Sequence, residues 1–167
     1  LRMYPVPADV RRLMYKVKHA QGVDITRIFC GLNEVRNIIP SIHYALEAGM
    51  VPQATLCITF SPVHTVEYYA VIADQLIEAG ALEICLKDMA GIGRPEMLGR
   101  LTKTIKEKHP EVIIQYHGHS GPGLSMASIL EVCENGADII DVAMEPPSWG
   151  KVHPDLISVQ AMLKDAG

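Results

Sequence analysis

Short runs of apolar, often β-branched residues alternate along the chain with longer stretches in which apolar positions recur three and four residues apart. The short runs predict strands and the long ones amphipathic helices. Val10, Leu13, Met14 and Val17 fall on one helical face, which predicts a helix over Asp9 to Ala20, with Pro7 as its start signal and Gly22 at its end. A strand from Ile25 to Gly31 leads to a helix from Val35 to Ala48, closed by Gly49. A second strand, Ala54 to Phe60, is punctuated by Ser61-Pro62, and a helix from His64 to Ala79 ends at Gly80. The unit then repeats: strand Leu82 to Lys87 and helix Arg94 to Lys108, then strand Val112 to His117 and helix Leu124 to Asn135, with Gly136 at the exit. Ala137 to Ala143 is a fifth strand, and a helix from Asp155 to Lys164 follows.

Strands alternating with helices from end to end place the chain in the α/β class, built from βαβ units around a parallel sheet. No linker, low-complexity segment or shift in composition divides residues 1–167, so one domain is expected. With 167 residues, 49% of them hydrophobic, there is material for one core. A complete eight-stranded (β/α) barrel takes about 250 residues and rarely fewer than about 200. The five strands therefore predict part of a barrel, either cut from a longer protein or completed by another copy, because an open segment exposes strand edges. An open five-stranded sheet of flavodoxin style is the alternative.

Charge and cysteine usage narrow the function classes. The formal net charge is −4 and the cations are scattered singly and in pairs, which offers nothing to a phosphate backbone, so nucleic acid is not an expected partner. Cys30, Cys57, Cys85 and Cys133 lie far apart within apolar runs, as buried free thiols of a reducing compartment would. No run approaches the roughly 18 uncharged residues of a membrane span, and the opening Leu-Arg-Met-Tyr-Pro is unlike a signal peptide. A cytoplasmic protein is the expectation.

Active sites of parallel α/β folds form beyond the carboxyl ends of the strands. One strand, Ile113-Ile114-Gln115-Tyr116, runs into His117-Gly118-His119, and two-residue spacing on an extended chain turns both imidazoles to one face. Two histidines so placed can share a metal ion, or they can be polar loop residues. Gly118 puts no side chain between them, and Ser120-Gly121-Pro122-Gly123 turns the chain into the next helix. At the end of another strand, in Ile84-Cys85-Leu86-Lys87-Asp88-Met89-Ala90-Gly91, Lys87 stands among apolar residues. A buried cation is costly unless paired, and the neutral amine is one response. A neutral amine can take up carbon dioxide as a carbamate, an anionic oxygen ligand. The competing reading is an ion pair of Lys87 with Asp88 or another carboxylate.

Together these segments resemble the carboxyltransferase domains of biotin-dependent carboxylases: pyruvate carboxylase, the oxaloacetate decarboxylase α subunit and the transcarboxylase 5S subunit. Asp24-Ile25-Thr26-Arg27-Ile28-Phe29, followed by Leu32-Asn33-Glu34-Val35-Arg36-Asn37, is similar to that family's fourth strand and turn. Ser61-Pro62-Val63-His64-Thr65 after Thr59 resembles the turn beyond the fifth. Leu86-Lys87-Asp88-Met89-Ala90-Gly91 matches the most specific motif, whose lysine is carbamylated, and His117 and His119 match its H-x-H ligand pair. The resemblance implies a partial TIM barrel holding family strands four to eight, with Lys87, His117 and His119 on a divalent metal (zinc, manganese or cobalt). Lys87 has in addition the catalytic role. It implies metal-dependent carboxyl transfer or decarboxylation between biotin and a 2-oxo acid such as pyruvate or oxaloacetate. Biotin would come from a carrier domain or subunit, since no A-M-K-M-like motif occurs, and a homo-oligomer or larger complex is expected. The related lyases and synthases of acyl-CoA thioesters, such as hydroxymethylglutaryl-CoA lyase, share the barrel and the H-x-H pair but lack the lysine; they are the alternative, together with a non-catalytic truncated barrel.

The chain departs from that pattern in four places. The family's first-strand aspartate ligand is absent, leaving Asp88 and Asp141 as nearby carboxylates, and its third-strand arginine has no match, Arg2 lying in a later segment. Gly150-Lys151-Val152-His153-Pro154 stands where the pyruvate carboxylases carry a G-T-S-Q-P-like run, with Lys151 at the place of the threonine. Ser120-Gly121-Pro122-Gly123 replaces the usual H-x-H-D-T-S-G continuation. Trp149 is expected to cap the barrel mouth, His19, His43 and His109 to lie on helix surfaces or ends, and Met126 and Met162 to fill core. His64 and His153 lie near strand-end turns, from which they can touch substrate, and Arg27 either reaches inward or pairs with Glu34 or Asp24.

Overall fold

The computed structural model describes residues 6–167; Arg2 and the rest of the first five residues lie outside it. Five parallel strands run in the order β1-β2-β3-β4-β5, each joined to the next through a helix. They are β1 (Ile25–Ile28), β2 (Val51–Cys57), β3 (Glu83–Asp88), β4 (Ile113–Gly118) and β5 (Ile139–Ile140), interleaved with α1 (Ala8–Ala20), α2 (Val35–Glu47), α3 (Val66–Glu78), α4 (Pro95–Lys108), α5 (Ser125–Glu134) and α6 (Leu156–Ala166). Sequential order without a crossover is the arrangement of a barrel wall, and it excludes the flavodoxin order, which reverses within the sheet. All five strands and six helices are therefore where the hydrophobic pattern puts them, with shifts at their ends.

Alternation along the strands sorts two faces. Ala54, Leu56, Ile84, Leu86 and Ile114 are fully buried beneath the helices, where they join Ile38, Ile42, Tyr69, Leu76, Leu98 and Leu101 in the core. The opposite, concave face carries Arg27, Gln53, Glu83, Cys85, Lys87, Gln115 and His117. In register, Cys57 neighbours Lys87 and Lys87 neighbours His117.

The displaced strand ends have local causes. β1 stops at Ile28 rather than Gly31 because the chain turns there: Asn33 N–H bonds the Cys30 carbonyl, and Asn33 takes a positive φ of 54°. The Asn33 side chain then replaces the strand ladder, accepting from Cys57 N–H at 2.7 Å and donating to Cys57 C=O at 2.9 Å. β2 begins before Ala54, since Pro52 is tolerated near a strand start. β5 is shorter than Ala137 to Ala143, although Asp141 N–H still bonds Tyr116 C=O, and Ala143 bridges instead to Asp155. Helix α3 starts at Val66 with Thr65 as its N-cap, accepting from Tyr68 N–H. Cys57 and Cys85 are buried as expected, whereas Cys30 and Cys133 are only partly so, and all four are free. No helix among the described residues is long and apolar enough to cross a membrane.

Candidate metal centre

The last residues of β3 and β4 meet at the carboxyl end of the sheet. Lys87 Nζ lies 3.1 Å from His117 Nε2, and His119 Nε2 lies 3.2 Å from the same nitrogen. The structure thus brings all three sequence-selected residues together. Lys87 is not paired with Asp88, whose side chain points to the opposite face of β3 and accepts from the backbone N–H of Ile92 at 3.0 Å and of Gly93 at 2.8 Å. Burial pushes the Asp88 carboxyl up, against those backbone bonds. Its work is to shape the turn after β3, so it is not a substitute ligand.

That turn and the one after β4 are locked together. His119 N–H bonds Asp88 C=O at 3.0 Å, and Gly91, at φ 67°, comes so close to the His119 backbone that any Cβ would overlap its carbonyl oxygen. Gly118 has a different role from keeping space between imidazoles. A Cβ there would run into the Tyr116 ring on the helix side, so the glycine makes room for that buried aromatic while its flanking histidines face inward.

Each imidazole of the pair has its far nitrogen engaged. His117 Nδ1 is 2.5 Å from Asp141 Oδ2, and His119 Nδ1 is 2.5 Å from the Lys151 carbonyl oxygen. Asp141 and the Lys151 carbonyl are acceptors, and Arg27 Nη1, 3.1 Å from His117 Nδ1, donates instead to Asp141, so in the neutral rings Nδ1 carries the proton and Nε2 the lone pair. Burial alone would raise the Asp141 carboxyl; bonds from His117, Arg27 and Gln115 overcome this and hold it well below the usual carboxylate range. Asp141 is therefore an anionic anchor for His117 rather than a replacement ligand. Burial pushes the Cys85 thiol up to about 12, leaving no thiolate in this wall of the site.

Below the imidazoles lies a polar layer that sequence reading did not assemble. Arg27 pairs with Asp141 at 2.9 Å and donates from Nε to Gln53 at 2.5 Å. Gln53 in turn donates to Glu83 at 2.6 Å and Gln115 at 2.7 Å. Of the two readings of Arg27, the inward one holds: it pairs with Asp141, whereas Glu34 folds back on Arg36 at 2.7 Å. The available signal was period two, since Arg27, Gln53, Glu83 and Gln115 all occupy inward positions of otherwise apolar strands.

Of the remaining histidines, His153 joins the cluster. Atoms of His117, His119 and His153 able to bind a metal all lie within 4.8 Å of one another. Burial and the neighbouring His117 and His119 hold its imidazole below the ordinary range, against an opposing bond to Gly118 C=O. His64 stays apart, 2.7 Å from Ser61 and packed on Tyr68 and Tyr69, while His109 bonds Asp74 at 2.8 Å. Trp149 is half-exposed at a positive φ of 64°, inside a tight turn.

The HMGL-like family pattern matches residues 27–145, and the chain belongs to that family. It is 39% identical to a pyruvate carboxylase subunit of Methanocaldococcus jannaschii over 158 residues, covering 95% of this chain and 28% of that protein. Against the methylmalonyl-CoA carboxyltransferase 5S subunit of Propionibacterium freudenreichii subsp. shermanii the identity is 37% over 147 residues, 87% of this chain and 29% of that one. The structure superposes with a TM-score of 0.90, at 30% identity, on the carboxyl transferase domain of Rhizobium etli pyruvate carboxylase with pyruvate, covering 95% of this chain and 28% of the other. The chain thus spans less than a third of the length of each of these proteins. Its five strands and flanking helices form part of the (β/α) barrel of such a domain.

Proposed function

We propose that the chain forms the metal-holding wall of a carboxyltransferase site, acting in carboxyl transfer or decarboxylation between biotin and a 2-oxo acid such as pyruvate or oxaloacetate. The observation that carries this reading is the convergence of His117 Nε2, His119 Nε2 and Lys87 Nζ within 3.2 Å contacts. Two imidazole lone pairs facing each other at that distance repel unless a proton on one of the rings, or a cation, lies between them. The separation suits one, because tetrahedral metal–nitrogen bonds of about 2.0–2.1 Å place neighbouring donors about 3.3 Å apart. Zinc, manganese or cobalt fits nitrogen donors joined by one anionic oxygen.

A divalent ion bound here supplies a Lewis acid for the carbonyl of a 2-oxo acid, easing the negative charge that develops as carboxylate leaves or arrives. The protein's own residues prepare the site. Asp141 fixes the tautomer of His117, and the Lys151 carbonyl fixes that of His119. In this reading the neutral amine of Lys87 attacks carbon dioxide: a nitrogen–carbon bond forms as one carbon–oxygen π bond opens onto oxygen, an N–H proton passes to water, and the lysine becomes an anionic carbamate. Its presence favours this reading over an acyl-CoA lyase or synthase, which has no need of an amine there. Biotin is supplied by a carrier domain or subunit that approaches the carboxyl ends of the strands.

Elemental analysis with intact mass tests the proposal. The chain is expected to hold a transition metal and the added mass of one carbon dioxide, and His119→Ala to lose the metal with its fold intact, because a turn residue contributes little core. Unchanged metal content in His119→Ala overturns it.

A further inference from the structure

We propose that His153 is a third imidazole ligand of this centre, beside His117 and His119. The inference deepens the proposed function and rests on its metal site. His153 Nδ1 lies 2.8 Å from the Gly118 carbonyl oxygen, which can only accept. The proton is therefore on Nδ1 and the Nε2 lone pair is free. The same division holds in His117, toward Asp141, and in His119, toward the Lys151 carbonyl. Each of the three imidazoles is tied through Nδ1, as metal-binding histidines are by the outer hydrogen bond that sets ring orientation, and donor atoms of all three lie within 4.8 Å of one another.

Ring geometry agrees. His153 lies 4.4 Å from His117 and 4.7 Å from His119 between centroids, with interplanar angles of 76° and 54°. The rings are tilted against one another rather than stacked.

The loop carrying His153 is built to place it. Val152 C=O accepts from Ser120 N–H at 2.8 Å, His153 C=O accepts from Trp149 N–H at 2.8 Å, and Pro154 C=O accepts from Ala143 N–H at 2.9 Å. Each residue from 152 to 154 is thus pinned by its backbone, two of them to the ends of β4 and β5. The strained positive φ of Trp149 closes this turn. The neighbouring Lys151 carbonyl orients His119, so one loop supplies both a ligand and the support of another.

Three neutral imidazoles select zinc or cobalt and disfavour magnesium and calcium, which take oxygen. The metal-free chain, titrated with cobalt(II), should show saturable binding, a visible ligand-field spectrum and a raised melting temperature. His153→Gln should weaken binding by about 100-fold or more and change the spectrum, while its melting temperature in chelator matches wild type. In the unaltered chain, zinc should move the Nε2 resonances of three histidines in nitrogen NMR. Two shifted rings, or a His153→Gln variant with wild-type affinity and spectrum, would overturn the assignment and leave the two-histidine site standing. If His119→Ala also keeps its metal, the proposed function falls as well.

Discussion

Arg27, on the first strand of a five-stranded sheet, and Asp141, just beyond the last, meet at 2.9 Å across its concave face. Laid flat, those strands would be about 19 Å apart, at about 4.8 Å per step, beyond the combined reach of a guanidinium and a carboxylate. The contact therefore requires a sheet curled as a barrel wall, and it ties that curvature to the candidate metal centre, because Asp141 also holds His117. Arg27→Ala should cost about 2–3 kcal/mol, less than a fully buried pair because both side chains keep 20–30% exposure. Arg27→Lys should fall between, retaining a charge for Asp141 but losing the fork that also reaches Gln53. Urea unfolding of the three proteins measures this; equal midpoints would mean that the pair does not support the curl.

The carbamate assigned to Lys87 makes metal affinity depend on dissolved carbon dioxide. In bicarbonate-rich buffer the chain should bind cobalt(II) about tenfold more tightly than in carbon dioxide-free buffer, or about 1.4 kcal/mol. Lys87→Ala and Lys87→Arg should bind weakly and identically in both, since neither side chain forms a carbamate under these conditions. Isothermal titration under the two atmospheres decides it, and a wild-type protein indifferent to bicarbonate would remove the carbamate from the proposal.

Gly118→Ala should damage the site without touching a ligand. The new methyl overlaps the Tyr116 hydroxyl and ring, and Tyr116, only 1% exposed, has nowhere to retreat. Overpacking of this kind costs about 1–3 kcal/mol and here pushes on the strand end that carries both histidines. Both thermal stability and cobalt affinity should drop, and adding Tyr116→Phe, which removes one of the overlapping atoms, should recover part of each. A Gly118→Ala variant with unchanged melting and binding would show that the strand end has slack there.

How much of this was legible in the chain follows from the range of the interactions. Periodicity exposed every strand and helix, and the H-x-H spacing, Lys87 and the family resemblance picked out the three residues that the structure brings together, because each motif is a local pattern on one strand. What stayed hidden depends on strands closing toward one another. Arg27 and Asp141 are 114 residues apart, so nearer carboxylates looked like better partners for the arginine. His153 sits in a loop without periodicity and reaches Gly118 only because backbone bonds draw residues 152 to 154 against β4 and β5. Asn33 was passed over as a turn residue, although its side chain is what ends β1 against β2.

Tyr69 gives a test by pH. Its hydroxyl accepts from Thr59 N–H at 2.8 Å and donates to Cys57 C=O at 3.1 Å, fastening the exit of β2 to α3 in a fully buried position. Burial pushes its pKa up to about 12, against the Thr59 bond, while the unfolded phenol ionises near 10. A folded value above the unfolded one means that the neutral hydroxyl's contribution is complete below about pH 10 and is lost as pH rises toward 12. Tyr69→Phe, which lacks both bonds and leaves the Thr59 N–H without its partner, should therefore be about 1–2 kcal/mol less stable at neutral pH. The difference should shrink steadily through the alkaline range, since only the wild type has a phenol at this position whose ionisation opposes folding. Chemical denaturation of both proteins across that range measures the gap. A gap that stays constant would show that Tyr69 titrates like an exposed tyrosine and does not fasten the strand.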